Sequence, residues 1–248
     1  AHTGRTGPCV DAIIEAGICK VILGVLDPDT RVSGKGIALL EAAGIDVHVG
    51  VLQDKVTESL KPYLYHRTTG LPFVIAKVGM SIDGKIAASD GSSRWITDQE
   101  ARNDVHELRA RSQAILVGSG TIKKDNPQLT VRLENYAGPQ PLRVVLDTFG
   151  SLTNQDLHIF NQQQAKTLIF TSCECAQDTQ ELWQQLGIAY VVVDHTPDGL
   201  DFKQVLQELG KRQIITVLVE GGARLLTQIL KQNLFQELHV YLGNVIIG

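Results

Sequence analysis

At 248 residues, 43% of them hydrophobic and 20% charged, the chain can bury a full core as one or two domains and has the make-up of a globular protein. Its formal charge of −4 argues against a nucleic-acid partner, no apolar run approaches the ~18 residues of a membrane span, and none reads as a signal peptide. Four cysteines, two of them close together at Cys173 and Cys175, do not resemble a secreted disulfide framework, so a reducing cytoplasm is the expected compartment. The chain starts at Ala1 and stops inside the apolar run NVIIG, which makes a fragment cut at both ends the expectation.

Cys9 stands just before an apolar helix pattern, Ala12, Ile13 and Ala16, that Gly17 would stop. A thiolate there is favoured by the helix dipole and could ligate a metal, although a lone cysteine is more often a small buried hydrophobe. The strand VILGVLD, the helix IALLEAAG and the strand IDVHVGVL follow, so helix and strand alternate as in α/β layers. Residues 55–65 are expected to form an amphipathic helix broken by Pro62. HRTTGLP, residues 66–72, is the expected boundary between a domain at 1–70 and another at 71–248.

The stretch 73–80 is a near-continuous apolar strand with one charge, Lys77. Burying an ammonium costs desolvation free energy, so Lys77 should face a cleft or an acidic partner. A turn at Asp83-Gly84 and a small-residue segment lead to Trp95. Thr97 and Glu100 have the spacing of a capping box, opening a helix with Ala101, Val105 and Leu108 on one face and Arg102, Arg109 and Arg111 on others. AILVG is a second buried strand, running into Ser119, Gly120 and Thr121; strand, helix and strand in a row predict a parallel crossover. After a loop at 135–141, LRVVLD, TLIFTS, AYVVVD and ITVLVE are continuously apolar, as in a sheet covered on both faces. Phe202, Val205, Leu206 and Leu209 form one apolar helix face, and Leu225, Leu226, Ile229 and Leu230 another.

In VLVEGGARLL a strand passes through Gly221-Gly222 directly into a helix. Open N–H groups and the helix dipole could hold a pyrophosphate there; the alternative is a tight turn that needs glycine only for its backbone angles. Glu220 would repel such an anion unless it points at sugar hydroxyls or takes part in chemistry.

Together these motifs resemble the bifunctional riboflavin-biosynthesis deaminase–reductase family. HTGRTGPC, DAIIEAG, LDP and SGKGIALLEAAGIDV are similar to the rear half of its zinc deaminase domain. KVGMSIDGKIA, SRWIT, ILVGSGTIKKDNPQLTVR, RVVLD and VEGG are similar to its NADPH-dependent reductase domain. The resemblance implies an α/β chain: the rear part of a cytidine-deaminase-like domain, then a dihydrofolate-reductase-like domain with a mostly parallel sheet.

Further implications follow for the site. Cys9 would be one zinc ligand of three, its partners and the His-x-Glu motif lying upstream of Ala1, so this chain should not deaminate. The resemblance implies cofactor contacts at Gly79, Trp95, Thr121, Asp125, Thr171, Gly221, Gly222 and Ala223, and substrate contacts at Ser93, Arg109, Leu129, Arg132 and Glu220. The implied reaction is NADPH-dependent reduction of the ribosyl side chain of 5-amino-6-(5-phosphoribosylamino)uracil, a small phosphoribosyl-pyrimidine, and paired guanidiniums at Arg109 and Arg132 suit its phosphate. Lys77, Asp125 and Glu220 are the candidate groups for the chemistry, none singled out as proton donor. Asn126 stands where the family often has a second Asp, and Gly7 where it usually has Pro. Two other readings stay open: a reductase of the same fold acting on pterin or folate, and a non-catalytic fragment. A homo-oligomer is left open as well.

Overall fold

Short helices alternate with short strands at the start of the chain, and the first two helices each bury one residue in a small shared core. The computed structural model describes residues 7–29, 34–93 and 96–248. The chain divides into two units, Ala1–Leu71 and Pro72–Gly248.

In the smaller unit α1 (Cys9–Glu15) leads to β1 (Lys20–Leu23), and α2 (Lys35–Ala42) to β2 (Asp46–Val49). Gly17, at φ 67, makes the turn that ends α1. The two strands pair in parallel from Lys20↔Asp46 to Leu23↔Val49. Val10, Leu40 and Ile45 form the core beneath them, with Ile13, Val21 and Val47 packed against it. Pro62 does not break one helix but begins another: α3 (Gln53–Ser59) stops, and α4 (Lys61–Thr69) starts with the proline in its first turn. An N–H is dispensable there, which is why proline is accepted. Most of HRTTGLP therefore belongs to a helix, with His66 buried and Gly70, at φ 74, as its left-handed cap.

The larger unit follows as β3 (Phe73–Ser81), α5 (Gln99–Arg111), β4 (Ala114–Gly118), α6 (Ser119–Asp125), β5 (Leu142–Leu146), β6 (Thr167–Thr171), α7 (Gln177–Gln185) and β7 (Ala189–Val192). A small hairpin, β8 (His195–Thr196) with β9 (Gly199–Leu200), precedes α8 (Phe202–Lys211), β10 (Thr216–Val219), α9 (Ala223–Lys231) and β11 (Glu237–Gly243). Among the described residues the sheet has seven strands in the order β11-β3-β10-β4-β5-β6-β7. All its pairings are parallel. β10 thus enters between two strands that precede it in the chain, β3 and β4. Beside β4 and β5, a core of Ile115, Val117, Val145, Ile169 and Trp183 is sealed where the Trp183 indole N–H donates to the Leu152 carbonyl at 2.8 Å.

Four details depart from the sequence reading. The cap of α5 is Asp98, not Thr97: its carboxylate accepts from the Ala101 N–H at 2.9 Å, the three-residue reach a cap needs. Ser119, Gly120 and Thr121 do not merely trail from a strand; they open α6, which ends where Asn126 turns left-handed (φ 39) before Pro127. Leu230 is 43% exposed and lies off the buried face of α9. β11 carries no continuous apolar run but alternates, with Leu238, Val240 and Leu242 exposed along the sheet edge.

Two close fits fix the loops. Arg143, fully buried in β5, donates to the carbonyls of Gln128, His158, Ile159, Asn161 and Ala165 at 2.6 to 3.5 Å. It thereby ties the chain before β5 to the chain before β6. At the end of β11, a Cβ on Gly243 would stand 1.6 Å from the Ile96 carbonyl oxygen, so only glycine lets that backbone pass. Gly243→Ala should therefore destabilise the larger unit by about 3 kcal/mol or more. Gly120→Ala, in α6 with nothing within 4 Å of the new methyl, should be neutral or gain up to ~1 kcal/mol. Thermal unfolding of both variants checks the contrast.

Candidate active site

The register places a carboxylate in the middle of the sheet. Val219, the last residue of β10, pairs with Ala76 on one side and Leu116 on the other. The next residue, Glu220, therefore comes level with Lys77, and its N–H donates to the Leu116 carbonyl at 3.0 Å. From α5, Arg109 lays its guanidinium side-on against Glu220: Nε donates to Oε1 at 2.5 Å and Nη2 to Oε2 at 3.0 Å. Arg109 Nη1 donates to the Thr130 carbonyl at 3.0 Å. Lys77 Nζ stands 3.8 Å from Glu220 Oε2. The Arg109 and Glu220 side chains are each 11% exposed and that of Lys77 22%.

Burial alone would push the Glu220 carboxyl up. The Arg109 guanidinium, through its charge and its two hydrogen bonds, outweighs that with help from Lys77 and His106 and holds it at about 2. Glu220 is consequently ionised at neutral pH. Burial likewise lowers the Arg109 guanidinium, and the Glu220 charge more than compensates, leaving it raised.

Two residues that the sequence reading passed over belong to this neighbourhood. His106, one turn before Arg109 on α5, accepts the Arg132 backbone N–H at Nδ1, 3.2 Å away. Burial first, then the charges of Arg109 and Arg132, push it down to about 4, so it is neutral at physiological pH. Tyr241 on β11, level with Gly79 on β3, donates from its hydroxyl to Asp104 Oδ2. Burial and the Asp104 carboxylate raise its pKa. The readable signals were helical spacing, His106 to Arg109 at i,i+3, and the two-residue alternation of β11.

The residues expected to touch a cofactor fall into three groups. Gly221 and Gly222 come beside Thr121, with Asp125 one turn further along α6. A Cβ on Gly221 would stand 2.8 Å from Leu225 Cδ2, whereas the Cβ direction of Gly222 is open, with Thr121 Oγ1 the nearest atom at 3.8 Å. Thr121 and Asp125 are one turn apart on α6, and Ala223 opens α9 directly after Gly222. Bare backbone followed by a helix N-terminus is the kind of local structure that binds phosphate groups. Gly79 lies on β3, where a Cβ would meet Thr97 Cγ2 at 3.4 Å. Thr171 stands apart, fully buried, its hydroxyl donating to the Asp147 carbonyl at 2.8 Å. Trp95 and the opening HTGRT lie outside the described residues.

Of the expected substrate residues, Arg109 and Glu220 pair with each other. Leu129 is buried with a left-handed backbone (φ 52), so its side chain faces the core. Arg132 is exposed, with Nη1 3.4 Å from Gln128 Oε1. Ser93 is half-buried in the loop before α5. Cys9 is exposed at the first turn of α1. Among the described residues no three His, Cys, Asp or Glu side chains are grouped to hold a metal. One exposed thiol does not fit a catalytic zinc ion, which takes three protein ligands and a water.

A parallel α/β sheet with an ionised carboxylate, two cations and a glycine turn at its strand ends has the arrangement of a nucleotide-dependent enzyme. A family model described as the RibD C-terminal domain matches residues 72–248, and the chain belongs to that family. It is 41% identical over its whole length to the riboflavin biosynthesis protein RibD of Chlamydia pneumoniae and spans 66% of that protein. A solved deaminase/5-amino-6-(5-phosphoribosylamino)uracil reductase from Thermotoga maritima aligns with all of the chain at 36% identity and TM-score 0.85. The chain covers 66% of that structure as well. RibD of Acinetobacter baumannii aligns at TM-score 0.88 and 34% identity, over 100% of this chain and 67% of the other.

The Glu220 pair sets a pH signature. Its carboxyl falls from an ordinary 4.5 to about 2 on folding, so its contribution is complete above pH 4.5 and is lost as pH drops through about 2. The difference is on the order of 3 kcal/mol. Glu220→Gln should lower stability at pH 7 by about that amount and flatten this limb of the stability profile. Denaturant titrations at several pH values measure both.

Proposed function

We propose that the chain reduces the ribosyl side chain of 5-amino-6-(5-phosphoribosylamino)uracil to the ribityl form with NADPH, a step of riboflavin biosynthesis. The observation that carries this reading is the Lys77–Glu220–Arg109 cluster beside the Gly221-Gly222 turn, where Glu220 follows the last residue of β10 and Lys77 lies midway along β3. Membership of the RibD C-terminal domain family supports it. NADPH, when bound, supplies the hydride; Gly221, Gly222, Ala223 and Thr121 would hold its phosphates, with Gly79 and Asp125 along the same groove.

The chain's own residues then have three tasks. Opening the sugar ring needs a proton on the ring oxygen and leaves a carbon–nitrogen double bond, whose carbon receives the hydride. Glu220 is ionised and has no proton to give at neutral pH. Its role in this proposal is to orient Lys77 and Arg109 and to face the positive charge that develops on the carbon–nitrogen bond. Lys77, 3.8 Å from that carboxylate and still partly open, is the proposed proton donor.

Arg109 has three of its five N–H groups committed to Glu220 and Thr130, so the exposed Arg132 carries most of the substrate phosphate and Arg109 assists with what remains. The proposed compartment is the cytoplasm, supported by four free cysteines. No helix among the described residues is long and apolar enough to cross a membrane.

Lys77→Gln should cut the single-turnover rate of NADPH oxidation by ~10²–10⁴-fold with substrate saturating, and retention of the parent rate would move the proton to another group. Arg132→Ala should raise the substrate KM about tenfold and leave the KM for NADPH alone. An equal rise in both constants would take Arg132 off the substrate phosphate.

A further inference from the structure

His106 has an unusual task for a histidine among cations. Residues 129–132 belong to no strand, so their backbone groups find partners in side chains. Gln140 takes both polar groups of Val131, accepting its N–H at 2.8 Å and donating to its carbonyl at 3.2 Å. Arg109 Nη1 donates to the Thr130 carbonyl, and His106 Nδ1 accepts the Arg132 N–H. Two of these grips come from neighbouring turns of one helix face on α5, and one of them, Arg109, is itself locked to Glu220. The segment also carries a left-handed leucine, Leu129, a conformation that costs of order 1 kcal/mol and persists only when its surroundings insist on it.

The histidine grip has a chemical requirement. To accept a backbone N–H, Nδ1 must carry no proton, which puts the ring proton on Nε2 and keeps the imidazole neutral. Arginine or lysine at this position could not accept at all. The two guanidiniums beside the ring favour the same neutral form.

We propose that His106 is a positioning residue of the substrate site: by accepting the Arg132 N–H it seats residues 129–132 so that the Arg132 guanidinium can close, with Arg109, on one phosphate group. This rests on the reading of Arg132 as a phosphate ligand given above. His106 does not itself meet the reacting atoms. Its removal should therefore separate KM from kcat.

In the full chain, His106→Ala should raise the substrate KM about tenfold while kcat and the KM for NADPH stay within about twofold. His106→Asn should restore most of the loss, because Asn Oδ1 sits where Nδ1 sat and accepts in the same way. Inorganic phosphate serves as a direct probe, and its affinity, read by calorimetry, should fall in the Ala variant and recover in the Asn variant. An unchanged phosphate affinity in His106→Ala, or an Asn variant as poor as the Ala variant, overturns the proposal while leaving Arg132 as a ligand. A parent chain that binds no phosphate overturns the phosphate reading itself, and this proposal with it. A chain that binds phosphate but reduces nothing removes the proposed reaction alone, and the calorimetric comparison still decides on His106. Should the Ala variant not fold, nitrogen NMR of the unaltered chain at pH 7 decides: Nδ1 must be unprotonated and must shift when phosphate is added. A protonated Nδ1 rules the role out.

Discussion

A carboxylate drawn into the middle of a parallel sheet needs a cation laid on it, and Glu220 has one in Arg109. Separately, each ion would lose several kcal/mol of hydration on burial; together, in a two-bond side-on geometry, they remain charged. The pairing has consequences beyond its own energy. Arg109 comes from α5, Glu220 from the end of β10, and the guanidinium's third contact reaches the Thr130 carbonyl. One ion pair thus sets helix, strand and loop against each other, and Lys77 on β3 completes the ring of charge.

Around that centre the regular elements and the irregular chain hold different groups. The strands and α5 hold Lys77, Glu220, His106 and Arg109, while Arg132 rides on a segment with no sheet partner. Precision on that segment comes from side chains that take the place of a ladder, His106, Arg109 and Gln140 at its backbone and Arg143 beneath its neighbour Gln128. Arg143 gives its two Nη groups to carbonyls, while its buried Nε finds no partner among the described residues; burial pushes the guanidinium down to about 10, which still leaves it charged at neutral pH.

How much of this was legible differs by element. β3, β4, β5, β6 and β10 were readable because a strand covered on both faces is apolar throughout, β7 because its run AYVVV is apolar although it lies at an edge, and the GG turn before α9 because the helix begins immediately after it. β11 was missed because an edge strand alternates, and α6 because Ser119, Gly120 and Thr121 are weak helix formers whose helix is held by packing of the buried Ile122. Pro62 was read as a breaker when its place in a first turn makes it a starter. At the site, the embedded charge of Lys77 pointed to an acidic neighbour, but nothing local named Glu220. Its pairing with Arg109 spans 111 positions and depends on where β10 enters the sheet. His106 was overlooked although helical spacing sets it one turn from Arg109, because its partner is a backbone amide 26 residues away that nothing local names.

The late entry of β10 bears on how the molecule is made. β3 and β4 are synthesised early, yet they are not neighbours; each pairs with β10 instead, so a slot one strand wide stays open between them until residues 216–219 arrive. A ribosome adding ~5–20 residues per second would expose that slot for several seconds, with two apolar strand edges unpaired. During that interval Lys77 and Arg109 have no carboxylate between them, and the first turn of α9 does not yet exist. The nascent chain is therefore sticky before it can be active, and a chaperone that shields strand edges would act between the emergence of β4 and that of β10.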